Sequence, residues 1–330
     1  DLVSSKGGVL DELLSYENLH KHTYPYRFSN NPAMTMLRYC AVQLYTFLLA
    51  FRWLFQKDVV FYINTLLPVG PALAGRLMGK RVVYHYHENA FVKGAFYKTL
   101  AFLMQKLAHE IICVSAYQAS FLQRKKGVTV IPNALPKEFT DRLHPNPETA
   151  FERKTVLMLS SLKEYKGTRE FIELAEKLPQ YKFVLVINDS EENINNYLAA
   201  NKLHDLTGGV NLTIYPRQAD VTSFYNTATI VIVLTNSRQA VETFGLTALE
   251  AMSAGLPVIV PTQGGIAEMV KDGNNGYKID VQELDAVGKH ICVLLDNKEL
   301  YIRMANNALL FSAGFDSEKV VTKLTQIITD

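Results

Sequence analysis

Cysteine is scarce: three in 330 residues, Cys40, Cys113 and Cys292, widely spaced. Cysteines so placed build neither a disulfide framework nor a metal cluster, and read as small buried hydrophobes of a reducing compartment. No Gly-x-Gly-x-x-Gly follows an early strand, which disfavours a dinucleotide oxidoreductase. No Asp-x-Asp pair precedes a loop suited to a divalent cation, so no metal site and no cofactor are expected. Internal repeats and low-complexity tracts are missing too, which excludes solenoid arrays. There is no long uninterrupted hydrophobic run. The most apolar stretch, Met36–Phe55, is broken by Arg38, Gln43 and Arg52, and makes a poor transmembrane span. The first apolar stretch has neither a basic leader nor a small-residue cleavage site, which argues against a signal peptide.

What is there suits a globular chain, with 48% hydrophobic and 20% charged residues. The length is comfortable for two domains of about 150 residues each. The net charge of +2 hides an asymmetry. Residues 1–145 hold 17 Lys and Arg against 9 Asp and Glu, a balance of +8; the rest hold 17 against 23, or −6. A basic half beside an acidic half suits a first domain that meets an anionic surface or substrate.

Short, β-branched, nearly continuous apolar runs recur at residues 59–63, 81–86, 111–115, 128–131, 155–159, 183–187, 212–215, 230–234 and 257–260. Such runs predict strands covered on both faces. Helical patterns lie between them, at 71–78, 96–108, 168–178 and 246–254. The alternation predicts parallel sheets in a doubly wound α/β fold. It breaks once, over residues 132–154, where four prolines (Pro132, Pro136, Pro145, Pro147) read as an interdomain linker. The expected domains are therefore 1–147 and 148–330, with a C-terminal helix near 315–330 free to pack back on the first. Two such halves would leave a ligand-binding cleft. The strand expected before Lys6-Gly7-Gly8 is barely present in Asp1-Leu2-Val3.

The strongest chemical signal is Glu242-Thr-Phe-Gly-Leu-Thr-Ala-Leu-Glu250. Phe244-Gly245-Leu246 leads straight into a helix, whose first N–H groups and dipole favour an anion such as a pyrophosphate. The two carboxylates would repel phosphate but accept paired hydrogen bonds from sugar hydroxyls. Taken singly, such a pair is more often a solvated helix face.

This segment resembles the E-x7-E signature of retaining GT-B glycosyltransferases, the family 4 group. Further matches run in that family's order: Gly7-Gly8, His87, Ser115, Pro132-Asn133, Lys166-Gly167, then Gly264-Gly265-Ile266-Ala267-Glu268 and Asp272-Gly273. The resemblance covers almost the whole chain. It implies two Rossmann-like domains facing each other across a cleft, the first for the acceptor and the second for a nucleotide-sugar donor. It also implies roles: Gly7 and Gly8 near the donor phosphate, His87 near the transferred sugar, and Lys166 on the diphosphate. Glu242 would hold the transferred sugar and Glu250 the ribose, with the amides of Phe244, Gly245 and Leu246 on the diphosphate. Glu268 would either meet the donor or cap a helix, and Arg217 would lie near the base. The family's Gly-Arg is replaced by Ser160-Ser161, leaving Lys163 as the nearest cation, which lacks the planar fork of arginine.

The expectation is a metal-independent retaining transferase moving a hexose or N-acetylhexosamine from a UDP-sugar to a glycan or lipid-pyrophosphate-linked glycan. O-antigen or another surface polysaccharide is the expected product class. The expected location is the cytoplasm, peripheral at the inner face of an anionic membrane, with no nucleic-acid partner. A sugar-nucleotide 2-epimerase and a silent sugar-nucleotide-binding partner protein remain the alternatives. Met36–Phe55 reads either as a helix packed in the first domain or as an aromatic helix on a membrane.

Overall fold

The computed structural model describes residues 1–7, 9–203, 209 and 211–329. The chain divides into two units, residues 1–112 with 124–129, and residues 113–123 with 130–330.

In the first unit, β1 (Leu2–Ser5) and β2 (Lys21–Tyr24) pair in parallel as a two-stranded sheet. Next comes α1 (Pro32–Ala50), started by Asn31, whose side chain accepts from the Ala33 and Met34 amides, with Pro32 in the first turn. It is followed by β3 (Val60–Asn64), α2 (Val69–Leu77), β4 (Arg81–Tyr86), α3 (Ala95–Leu107), β5 (Glu110–Cys113), α4 (Ala116–Ser120) and β6 (Val128–Val130). A second sheet runs β3-β4-β5-β6, with α4 counted in the other unit. Val82, Val83, Tyr84 and Tyr86 of β4 and Ile111 and Ile112 of β5 are fully buried. That is why the centres of these strands, Val82–Tyr84 and Ile111–Cys113, read as continuous apolar runs instead of alternating.

The second unit continues with α5 (Lys137–Thr140), α6 (Pro147–Arg153), β7 (Thr155–Ser160), α7 (Thr168–Lys177), β8 (Lys182–Ile187) and α8 (Glu191–Ala200). Then come β9 (Leu212–Tyr215), α9 (Thr222–Thr227), β10 (Ile230–Ile232), α10 (Leu246–Ser253), β11 (Val258–Val260), α11 (Gly265–Glu268) and β12 (Gly276–Lys278). The chain closes with α12 (Leu284–Asp296), α13 (Lys298–Ser312) and α14 (Ser317–Thr329). One six-stranded sheet, ordered β12-β11-β10-β7-β8-β9 and parallel throughout, carries this unit. The chain grows outward through β7, β8 and β9, then returns to lay β10 on the other side of β7. The strand order therefore reverses between β7 and β10.

Residues 132–154, expected as a linker, instead build part of the second unit. Asn146 accepts from the Thr149 amide and Pro147 opens α6, so these residues start a helix. Ala150 and Phe151 are buried, the Phe151 ring 5.4 Å from that of Tyr301. Thr229 Oγ1 donates to the Ala150 carbonyl and accepts from the Thr155 amide, tying α6 to the sheet. The segment 36–55 forms most of α1 and a 3-10 turn, Phe51–Trp53. No residue of α14 is buried.

Candidate active site

The site begins in the turn after β7. Gly167, which precedes α7, has φ 75°, and a Cβ there would stand 2.4 Å from Leu234 Cβ and 2.5 Å from its carbonyl oxygen. Only glycine lets this turn lie against the segment leaving β10. The Asn236 amide fastens the contact by donating to the Tyr165 carbonyl at 2.7 Å. Lys166 is thereby brought to Glu242: Nζ donates to Glu242 Oε1 at 2.6 Å, and Thr235 Oγ1 donates to the same oxygen at 2.8 Å. The side chains keep 27% and 21% of their exposure, so both ions are reachable from solvent. The pair forms beyond the carboxyl ends of β7 and β10, where the strand order reverses. Open parallel sheets bind ligands at such a point.

A second close approach shapes the loop before α10. The Gly265 amide donates to the Glu242 carbonyl at 2.8 Å, and a Cβ on Gly265 would lie 1.9 Å from the Thr243 carbonyl oxygen. Ser115 Oγ donates to that carbonyl at 2.6 Å. Thus Gly264-Gly265 seats the Glu242–Phe244 loop on the start of α11. Phe244 is buried, its ring 6.0 Å from Phe315, whereas Leu246 is exposed. The Ala248 and Leu249 amides close on the Gly245 carbonyl, so the preceding amides belong to the unpaired first turn of α10.

Glu250 sits one turn further along α10. Its Oε2 accepts a short bond from Tyr225 Oη of α9, and Tyr225 is fully buried. Burial pushes the Glu250 carboxyl above its ordinary range, while the Tyr225 bond opposes the rise. The same surroundings hold the Tyr225 hydroxyl well above its usual value.

Glu268 caps a helix: its carboxylate accepts from the Ala116 amide at 3.1 Å and from the Tyr117 amide, at the start of α4. Arg217 follows β9, donating from Nε to Asn188 Oδ1 at 2.8 Å. Lys163 Nζ lies 5.8 Å from the centroid of the Tyr165 ring. Gly7 and His87 belong to the first unit. Gly7 follows β1 with φ 85°, and Gly8 lies outside the described residues. His87 follows β4, with Nε2 2.9 Å from Asn64 Oδ1 and its ring centroid 4.1 Å from that of His85. Burial lowers the His87 pKa although Glu88 pulls the other way, so the imidazole is neutral at pH 7. Thr235, Tyr225 and Asn64 were missed by the sequence reading. Thr235 directly follows the apolar run of β10, which is the one signal that pointed to it; the other two carry none.

Two α/β units, the second with its strand reversal and a polar site above it, define the GT-B class. The crystal structure of Anabaena HepE in complex with UDP and glucose aligns at TM-score 0.77 and 20% identity, covering 100% of this chain and 91% of that one. Sucrose-phosphate synthase from Thermosynechococcus elongatus aligns at TM-score 0.68 and 17% identity over 92% of this chain and 79% of its own. An uncharacterised glycosyltransferase of Haemophilus influenzae is 24% identical over 282 residues, 83% of this chain and 76% of that protein. Residues 140–310 match the family Glycosyl transferases group 1, and residues 6–139 match Glycosyltransferase Family 4. The chain belongs to the group 1 glycosyltransferases.

Proposed function

We propose that the protein transfers a hexose or N-acetylhexosamine from a UDP-sugar to a glycan or lipid-pyrophosphate-linked glycan, with retention and without a metal ion. The observation that carries this is the Lys166–Glu242 pair at the strand reversal, with Thr235 fixing the carboxylate. In this reading the donor diphosphate lies over the start of α10, where the amides of Phe244, Gly245 and Leu246 and the helix dipole meet its charge. Lys166 neutralises the charge that grows on the leaving phosphate as the glycosidic bond breaks. Glu242 holds hydroxyls of the transferred sugar. Glu250, with Oε2 engaged by Tyr225, offers Oε1 to the ribose, and His87 is assigned to the transferred sugar. The acceptor hydroxyl attacks from the face the diphosphate leaves, and its proton passes to the departing phosphate oxygen. UDP and UDP-glucose bound in the Anabaena structures support the choice of base. The product is assigned to surface polysaccharide such as O-antigen, and the enzyme to the inner face of the membrane.

Thermal melts in EDTA against a panel of nucleoside diphosphates and UDP-sugars test the donor assignment. UDP and at least one UDP-sugar should raise the melting temperature, since ligand at a hundred times Kd adds about 2.7 kcal/mol. A shift seen only after adding Mg²⁺ or Mn²⁺, or with another base alone, would overturn it.

A further inference from the structure

Helix α1 has two unlike faces. One is docked: Gln43 Oε1 accepts from the Val69 and Gly70 amides at the start of α2, Tyr39 Oη donates to the Leu67 carbonyl, and Thr46 and Ala50 are buried. The opposite face carries Met34, Leu37, Leu44 and Leu48, continued past the helix end by Phe51 and Phe55 in the turns that follow, and all are exposed, Phe55 at 93%. By length and composition the residues Pro32–Trp53 would suit a membrane crossing, but one side of the helix is committed to α2. An apolar stripe of this extent on a surface helix marks a contact face.

Charge says which contact. Between Glu17 and Asp58 there is no Asp or Glu, and of the cations in that span Lys21 is paired with Asp11, which leaves Arg27, Arg38, Arg52 and Lys57. A cavity of about 410 Å³ opens beside the stripe, between α1 and the segment leaving β2, and Tyr24, Tyr45, Arg27 and Arg38 help to line it. Arg38 Nη1 is aimed by donating to the Arg27 and Phe28 carbonyls at 2.7 and 3.3 Å. Two guanidinium groups and two aromatic rings beside exposed leucines match a phosphate with an acyl chain below it.

We propose that the outward face of α1 lies on an anionic phospholipid bilayer, with the Arg27–Arg38 cavity taking a lipid phosphate. This deepens the reading of a lipid-linked acceptor, and it predicts bilayer binding that needs neither donor nor acceptor. The test is flotation of the full chain with vesicles of phosphatidylcholine, with and without phosphatidylglycerol. Wild type should float with the anionic vesicles only, and less as salt shortens the screening length to about 10 Å at 0.1 M. Leu44→Glu with Leu48→Glu, at exposed positions, should abolish flotation. Arg27→Gln, which removes one cation from the cavity, should weaken it about fivefold. UDP-induced thermal shifts should be unchanged in all of these variants. Flotation of the glutamate variant at the wild-type level would overturn the proposal. So would a wild-type dimer in sedimentation that the same variant dissolves, with no vesicle binding by either. Loss of the UDP response with flotation intact would overturn the donor reading instead.

Discussion

The buried Tyr225 phenol donates to the half-buried Glu250 carboxylate. Ribose contacts are the same in ground and transition states, so losing them raises KM and leaves kcat. Glu250→Ala should therefore raise the donor KM with little change in kcat. Tyr225→Phe removes a bond worth about 1 kcal/mol, so KM should rise roughly fivefold at neutral pH. It also removes the one contact that lowers the Glu250 pKa, so the protonated, weaker-binding form should appear at higher pH than in wild type. Steady-state kinetics of the phenylalanine variant across pH checks both. An unchanged KM profile would separate Tyr225 from donor binding. This contact could not be read in the sequence, because Tyr225 lies 25 positions before Glu250 in a short helix without a motif.

At the scale of elements, the strand and helix positions were largely legible. Residues 81–86, 155–159 and 212–215 are found as β4, β7 and β9 almost to the residue. In β4 and β7 the side chains are apolar because both faces are largely covered, whereas edge strand β9 alternates half-buried Leu212 and Ile214 with exposed Thr213 and Tyr215. Elements held mainly by pairing were not legible: β2 (Lys-His-Thr-Tyr) and β12 (Gly-Tyr-Lys) are too short and too polar to show a period. The end of β4 also carries a testable pH response. Burial, and next the neighbouring His87, push the His85 imidazole down to about 4 from an ordinary 6.5. The unfolded chain then binds more protons than the folded one between those values, so stability is lost as pH falls from 6.5 toward 4. Chemical denaturation of wild type and His85→Gln at about pH 5 and about pH 7 measures this. The wild type should lose more stability than the variant. An equal loss in both would remove His85 from the account.

For the whole molecule, the sequence carried the ordered set of motifs and the family they belong to. The proline-rich stretch 132–154 misled, because Pro145 and Pro147 mark the entry to α6 as readily as they mark a linker. The resemblance assigned Lys166 to the diphosphate and Glu242 to the transferred sugar; their direct pairing, 76 positions apart, appears only in the structure, where the strand order reverses. That pair is the centre of the account. It is partly exposed, and such a pair adds at most about 1 kcal/mol to stability, so variants at either position should fold. The decisive measurement is steady-state turnover of a UDP-sugar in EDTA by wild type, Lys166→Ala and Glu242→Gln, with circular dichroism to confirm folding. Each change removes a charge-assisted contact worth about 1.5–3 kcal/mol in the transition state. In both variants kcat should fall roughly tenfold to over a hundredfold. Wild-type kcat in both, with both folded, would contradict it.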